Sequence, residues 1–215
     1  MYGTDLKLSA LWQHVCAVAS PTLIYDILDK TVAILLILEN RETEKQLAVL
    51  TTHLKARQGA LLSSLRNEQG KDLLGFLDQH CSTYPVIICG DFNAEPSEPV
   101  YATMTEVSTG LDSAYAVLNG GKEPPYSTWK IRESGECCHN IDYVFYTPNF
   151  LRVEGGFDVP TENDLGPCRA PSFSYPSDHF SLICDFSMQP EQNASMFSGN
   201  ECDALEGENS LSESF

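Results

Sequence analysis

The chain is short of basic residues: 13 Lys and Arg stand against 30 Asp and Glu, a formal net charge of −17 over 215 residues. Affinity for long nucleic acid rests on neutralising many phosphates, so a body this acidic is a poor general binder of it. A small phosphate ester held by a few local cations is not excluded by that argument. The sequence also lacks an uncharged apolar run of about 18 residues or more, the length a membrane span needs. Its most apolar stretch, Val32 to Leu38, is strand-sized. Met1 to Gln13 has neither the basic start nor the long apolar segment of a secretory signal. No internal repeat is visible.

Eight cysteines are present, but no paired metal-ligand spacing accompanies the adjacent Cys137 and Cys138. Cys89 and Cys184 lie inside apolar runs, where cysteine acts as a small core residue. The pattern excludes a disulfide framework and suits a reducing compartment, with the cytoplasm as the expected location.

What is present is enough for a core, since 42% of residues are hydrophobic. Three regions are readable. Residues 1–30 show no clear period. Residues 31–188 read as a mixed α/β unit. Residues 189–215 hold six acidic side chains and no Lys, Arg or His, leaving −11 of the −17 on the rest of the chain. That tail has too little apolar surface to offset its ordering entropy, so it is expected to be disordered.

Within the middle region, Val32–Leu38 and Leu47–His53 read as strands around a polar turn. Leu61, Leu62, Leu65, Gln69, Leu73 and Leu77 recur at helical spacing. Val86–Cys89 is a short apolar strand of the kind buried on both faces. Ser97, followed by Glu98 and Pro99, opens a second helix that runs to Glu106. Ile141–Tyr146 and Phe180–Phe186 complete the strands.

The ends of these strands carry the chemistry. His53 closes one, Asp91 and Asn93 follow another, Asp142 opens a third and Asp178-His179 opens a fourth. With the first two strands parallel and the later two running opposite, all four sites fall at one edge of a sheet. Carboxylates can hold a hard cation that neutralises charge on phosphoryl oxygens, and an aspartate beside a histidine can supply acid/base function. Each motif has a bland alternative: Gly90-Asp91-Phe92-Asn93 as a turn, Ser177-Asp178-His179 as a cap or loop, His53 as a satisfied imidazole. Their order and shared placement argue against that reading. Lys55 and Arg57 follow His53, and Lys130 and Arg132 precede Asp142, as phosphate contacts would. Ordinary surface charge remains open for Lys130. Trp129 and Tyr126 either stack a base or pack, and packing is the expected role.

Thr52-His53-Leu54, Gly90-Asp91-Phe92-Asn93, Ile141-Asp142-Tyr143 and Ser177-Asp178-His179, in that order, resemble the later motifs of the endonuclease/exonuclease/phosphatase superfamily. Longer phrases narrow the resemblance. His53-Leu54-Lys55-Ala56-Arg57, Glu123 to Arg132 and Pro171 to His179 are similar to the nocturnin side of the carbon-catabolite-repressor/nocturnin family. The resemblance implies a two-sheet α/β sandwich and Mg²⁺-dependent attack of water on phosphorus. It implies that Asp91 and Asn93 position water and phosphate, Asp142 orients His179, and His179 and His53 contact phosphoryl oxygens. Asp178 would help to hold the metal region, and Lys55, Arg57, Lys130 and Arg132 would hold the anionic substrate.

The implied reaction is removal of the 2′-phosphate of NADP(H) to give NAD(H), a small dinucleotide substrate that suits the acidic body. A poly(A)-directed 3′ exoribonuclease is the alternative on the same chemistry. The resemblance also implies a metal-binding glutamate well before the His-Leu motif, and no such motif is found here. The chain is therefore expected to be the C-terminal half of a domain, with weak metal binding and one apolar sheet face uncovered. An inactive fragment or interaction module is the third reading. A mitochondrial location would require a targeting peptide ahead of the expected missing segment.

Overall fold

The computed structural model describes residues 15–18, 23–28 and 31–189. Its central sheet grows from alternation. In β3 (Thr31–Asn40), Ala33, Leu35 and Ile37 are buried, whereas Val32 and Ile34 point to the other face. The Asn40 side chain accepts from the Glu42 and Thr43 N–H groups and turns the chain into β4 (Gln46–His53), antiparallel to β3. The long helix α1 (Ala60–Cys81) then crosses over, and β5 (Val86–Asp91) returns parallel to β4.

The strands β1 (Val15–Val18) and β2 (Leu23–Ile27) both pair with β3. On the far side, β9 (Asp142–Tyr146) runs antiparallel to β5, and the two-residue β6 (Asp112–Ser113) pairs with β9. Two short helices, α2 (Pro99–Thr105) and α3 (Ala114–Leu118), flank β6 in the sequence. The hairpin β7 (Thr128–Arg132) and β8 (Gly135–His139) stands apart from the main sheet. The strands β10 (Leu151–Gly156) and β11 (Cys184–Met188) form a second antiparallel sheet. The helix α4 (Glu162–Leu165) lies between them in sequence and starts with a capping box from Thr161 and Asp164.

Two cores follow from the two faces. Leu35, Leu50, Ile88, Phe92 and Phe145 pack under α1 through Leu73, Phe76 and Leu77. On the opposite face, Leu47, Val144 and Tyr146 pack with Leu151 and Phe186 of the second sheet. This is the two-sheet α/β sandwich implied by the resemblance. The second sheet does not reach the β2–β3 end, where Ile24, Val32 and Ile34 remain 71%, 41% and 38% exposed.

Several expectations shift. The helix stripe is turned toward Arg66, Gln69, Gly70, Leu73, Phe76, Leu77 and Cys81, while Leu61 in the first turn is exposed. The second helix begins one residue later than expected, with Glu98 as cap and Pro99 at the first turn, where its missing N–H costs nothing. The strand expected over Phe180–Phe186 is instead Cys184–Met188, and it belongs to the second sheet. Phe180 is held by a hydrogen bond from its N–H to Ser127 O rather than by a strand ladder. Residues 1–30, read without a period, include the two short strands β1 and β2. The acidic tail from residue 190 lies outside the described residues, as do most of residues 1–30.

Cys81, Cys89, Cys137, Cys138, Cys168 and Cys184 are free thiols. Burial pushes the Cys81 thiol up to about 11 and is also the first cause that carries Cys184 up to about 12. No helix among the described residues is long and apolar enough to cross a membrane.

Candidate active site

Register brings the first three residues together. His53 is the partner of Asp91 across the parallel β4–β5 pair, and Asp91 is the partner of Asp142 across the antiparallel β5–β9 pair. Three neighbouring strands therefore deliver an imidazole and two carboxylates side by side at one sheet edge. Gly90 makes this row possible. Its φ is +154°, and a Cβ there would lie 2.0 Å from the Thr52 carbonyl oxygen.

His179 arrives differently. Thr128 at the start of β7 makes an isolated bridge with it, and the Thr128 hydroxyl donates to the Asp178 carbonyl at 2.6 Å. His179 Nδ1 then lies 2.9 Å from Asp142 Oδ2, and His179 Nε2 lies 3.9 Å from Asp91 Oδ2. On the other side His53 Nε2 lies 3.4 Å from Asp91 Oδ2. Ligand atoms of Asp91, Asp142 and His179 all lie within 4.8 Å of one another.

Surrounding hydrogen bonds fix the two aspartates. The Asn93 N–H donates to Asp91 Oδ1 at 2.8 Å, an Asx-type turn that asparagine tolerates at its φ of +50°. Asn93 Nδ2 donates to the Leu54 carbonyl at 3.0 Å, tying the β5 end to the loop after β4. Ser127 Oγ donates to Asp142 Oδ2 at 2.6 Å and accepts from the Ile141 and Asp142 N–H groups.

The electrostatics follow from the geometry. Burial raises the Asp91 pKa, and the Asp142 charge adds to the rise, against opposing effects of the Asn93 N–H, His179 and His53. The hydrogen bond to Asp142 raises the His179 pKa, with the Asp142 and Asp91 charges acting in the same sense against burial. His179 is thereby biased toward the imidazolium form, with Nδ1–H donating to Asp142. The two facing carboxylates are hard oxygen donors that a divalent cation would stabilise. The donor set fits such an ion through Asp91 and Asp142.

Asp178 stands outside this trio. Its carboxylate accepts from Lys130 Nζ at 2.5 Å and lies 3.5 Å from an Arg132 terminal nitrogen, and the Lys130 hydrogen bond is the first cause holding its pKa below the usual value. Lys130 is thus ion-paired rather than an ordinary surface lysine.

Beside the trio, a groove of about 860 Å³ is lined by Arg57, Arg66, Asn93, Lys130, Arg132 and His139, among others. Lys55 does not line this groove but follows His53 in the same loop. Trp129 packs with Tyr126 at 4.7 Å between ring centroids, and the Arg169 guanidinium sits 4.3 Å above its ring. Packing is therefore the role the structure shows for this aromatic pair.

Some residues at the site carried no readable signal. Ser127 is fully buried, and a lone serine ahead of a strand reads as nothing in particular. His139 pairs with Glu95 at 2.5 Å across the groove wall, and the two are 44 positions apart.

Comparison with known proteins agrees with this geometry. A model described as the Endonuclease/Exonuclease/phosphatase family matches residues 18–179. Nocturnin of Drosophila melanogaster is 45% identical over 221 residues, covering 93% of this chain and 32% of that protein. Nocturnin of Homo sapiens is 49% identical over 166 residues, covering 75% of this chain and 38% of its own length. The chain thus spans well under half of these relatives. Among solved structures, the human Nocturnin catalytic domain with bound sulfate anion superposes with a TM-score of 0.67 at 38% identity, covering 79% of this chain and 59% of that one. Fold, site and relatives converge on one assignment: the chain belongs to the endonuclease/exonuclease/phosphatase family of hydrolases.

Proposed function

We propose that this chain carries the phosphate-binding and acid/base half of a nocturnin-like, Mg²⁺-dependent phosphatase that removes the 2′-phosphate of NADP(H). The observation that supports it most is the row His53, Asp91, Asp142 and His179 at one sheet edge, with Asn93 beside it on the wall of a groove that Arg57, Lys130 and Arg132 also line.

In this reading Asp91 and Asp142 offer the oxygen donors for Mg²⁺, which when bound would neutralise charge on the phosphoryl group. Asp91, with its raised pKa, and Asn93 position the attacking water and the phosphate. Asp142 holds His179 so that its Nε2–H faces the non-bridging oxygens. His53 contributes a second donor there. Asp178 orients the Lys130 and Arg132 charges at the border of the metal region, and Lys55, Arg57 and Arg132 hold the dinucleotide phosphates. The small number of local cations in an acidic body supports a small substrate over a polymer.

The metal-binding glutamate implied by the resemblance has no match in the sequence, so full activity is expected to need it from elsewhere. The test joins this chain to the preceding part of the Drosophila nocturnin catalytic region and assays phosphate release from NADPH with Mg²⁺. The joined protein is expected to release phosphate at least about 100-fold faster than the chain alone, since one missing charged ligand costs at least that much. Shortening of poly(A) without phosphate release from NADPH would instead establish the exoribonuclease reading. Neither activity in a folded joined protein would leave the site as a binding module.

A further inference from the structure

Arg66 is an unusual occupant of a helix core. It is 1% exposed, on the face of α1 that packs against the sheet, and a guanidinium so placed must find partners. Its partners belong to the loop after β4 and to the start of α2, and two of them, Arg57 and Glu98, line the groove. Nη1 donates to the Arg57 carbonyl at 2.7 Å and to the Lys55 carbonyl at 3.1 Å. Nη2 donates to Glu98 Oε2 at 2.5 Å, and Glu98 is the cap of α2.

The loop held in this way is the one that follows His53. Gln69, fully buried on the same helix face, accepts the Lys55 N–H at 3.1 Å. Asn93 Nδ2 and the Asp91 carbonyl take the two backbone groups of Leu54. Arg57 itself has a φ of +83°, a conformation unfavourable for any residue but glycine and kept only where the surroundings impose it. The Arg57 carbonyl at this bend is the one that accepts from Arg66 Nη1 at 2.7 Å. The strain faces the groove, because Arg57 lines it beside Asn93 and Lys130.

We propose that Arg66, neutralised by Glu98, is a positioning residue: it fixes the bend at Lys55–Arg57 that aims Arg57 at an anionic substrate in the groove. A lysine could keep the charge near Glu98 but could not span two carbonyls and a carboxylate with one fork. The substrate part of this inference rests on the phosphatase reading above, whereas the clamp itself does not.

The experiment therefore has two arms on the full chain. In the first, amide hydrogen exchange at Leu54 and Lys55, whose N–H groups are bonded to the Asp91 carbonyl and to Gln69 Oε1, is compared between the wild type and Arg66→Lys, with Glu98→Gln as the milder variant. Faster exchange at these amides, with the rest of the sheet protected as before, is the expected result. Unchanged exchange in either folded variant overturns the clamp, and Glu98→Gln decides alone if Arg66→Lys does not fold.

In the second arm, NADPH affinity is read from its own fluorescence, with Arg57→Ala as reference. Arg57→Ala and Arg66→Lys are each expected to weaken binding about tenfold, the order of a charge-assisted hydrogen bond. The double variant is expected to be no weaker than Arg57→Ala, because both changes remove one contact. Additive losses overturn the positioning role. If Arg57→Ala leaves affinity unchanged, the substrate assignment is wrong, and the exchange arm still decides the clamp.

Discussion

Replacing Asp91 with alanine is expected to lower the rate of phosphate release from NADPH by about 1000-fold or more in the joined, active protein, with little change in KM. In the proposed reading Asp91 both holds a cation and sets the attacking water, so its loss removes interactions made chiefly in the transition state. The same substitution is expected to leave stability unchanged or slightly improved. Asp91 is half-buried beside Asp142, and burial and that neighbouring charge both push its pKa up, so its ionised form is unfavourable in the folded protein. Against this, the Asn93 N–H loses an acceptor. Urea midpoints of the two proteins check the stability claim, and steady-state rates at saturating NADPH check the catalytic one. A variant retaining a tenth of the wild-type rate would remove Asp91 from the chemistry. A large fall in the urea midpoint would make its role structural.

The second large effect belongs to Gly90. Gly90→Ala is expected to cost about 3–5 kcal/mol in urea unfolding, through a steric clash added to an unfavourable φ. The new Cβ would stand 2.0 Å from the backbone oxygen of Thr52, and backbone cannot swing aside as a side chain can. Relief requires β4 and β5 to part just where His53 and Asp91 meet, so activity should fall with stability. Gly75→Ala is the comparison. A Cβ at Gly75, in the interior of α1, meets nothing within 4 Å, and the change should stabilise by about 1 kcal/mol through helix propensity. Equal midpoints for the two variants would show that the β4–β5 approach is not tight.

How much of this was legible depends on which interactions write themselves into local sequence. The runs Val32–Leu38 and Val86–Cys89 announced strands because burial on a pleated sheet demands apolar residues at short range. From strand direction alone, His53, Asp91 and Asp142 could be placed at one edge, and the register bears that placement out. His179 was matched to the right site through the wrong element. It is delivered by a coil segment bridged to Thr128, a long-range backbone contact with no periodic trace.

Arg66 escaped for a related reason. Helical spacing is read from apolar side chains, and a buried arginine breaks the stripe rather than marking it. Gln69 stood on the expected stripe, but only its backbone and side-chain partners in the structure reveal what it does there. Asp178 shows the same limit: its motif places it in the metal region by resemblance, whereas its contacts with Arg132 and with Lys130, 48 positions away, come from a hairpin and leave no local trace.

The apolar end of the sheet has a consequence for how molecules of this chain behave in company. Ile24 and Ile34 face each other in register across β2 and β3, and with Val32 they present exposed hydrocarbon on a chain of net charge −17. Two opposed forces therefore act when copies approach: mutual repulsion over roughly a Debye length, and contact attraction between the patches. Added salt shortens the first and leaves the second intact or stronger. Dilute buffer is then the condition that keeps copies apart, whereas ionic strength near the physiological range favours their association.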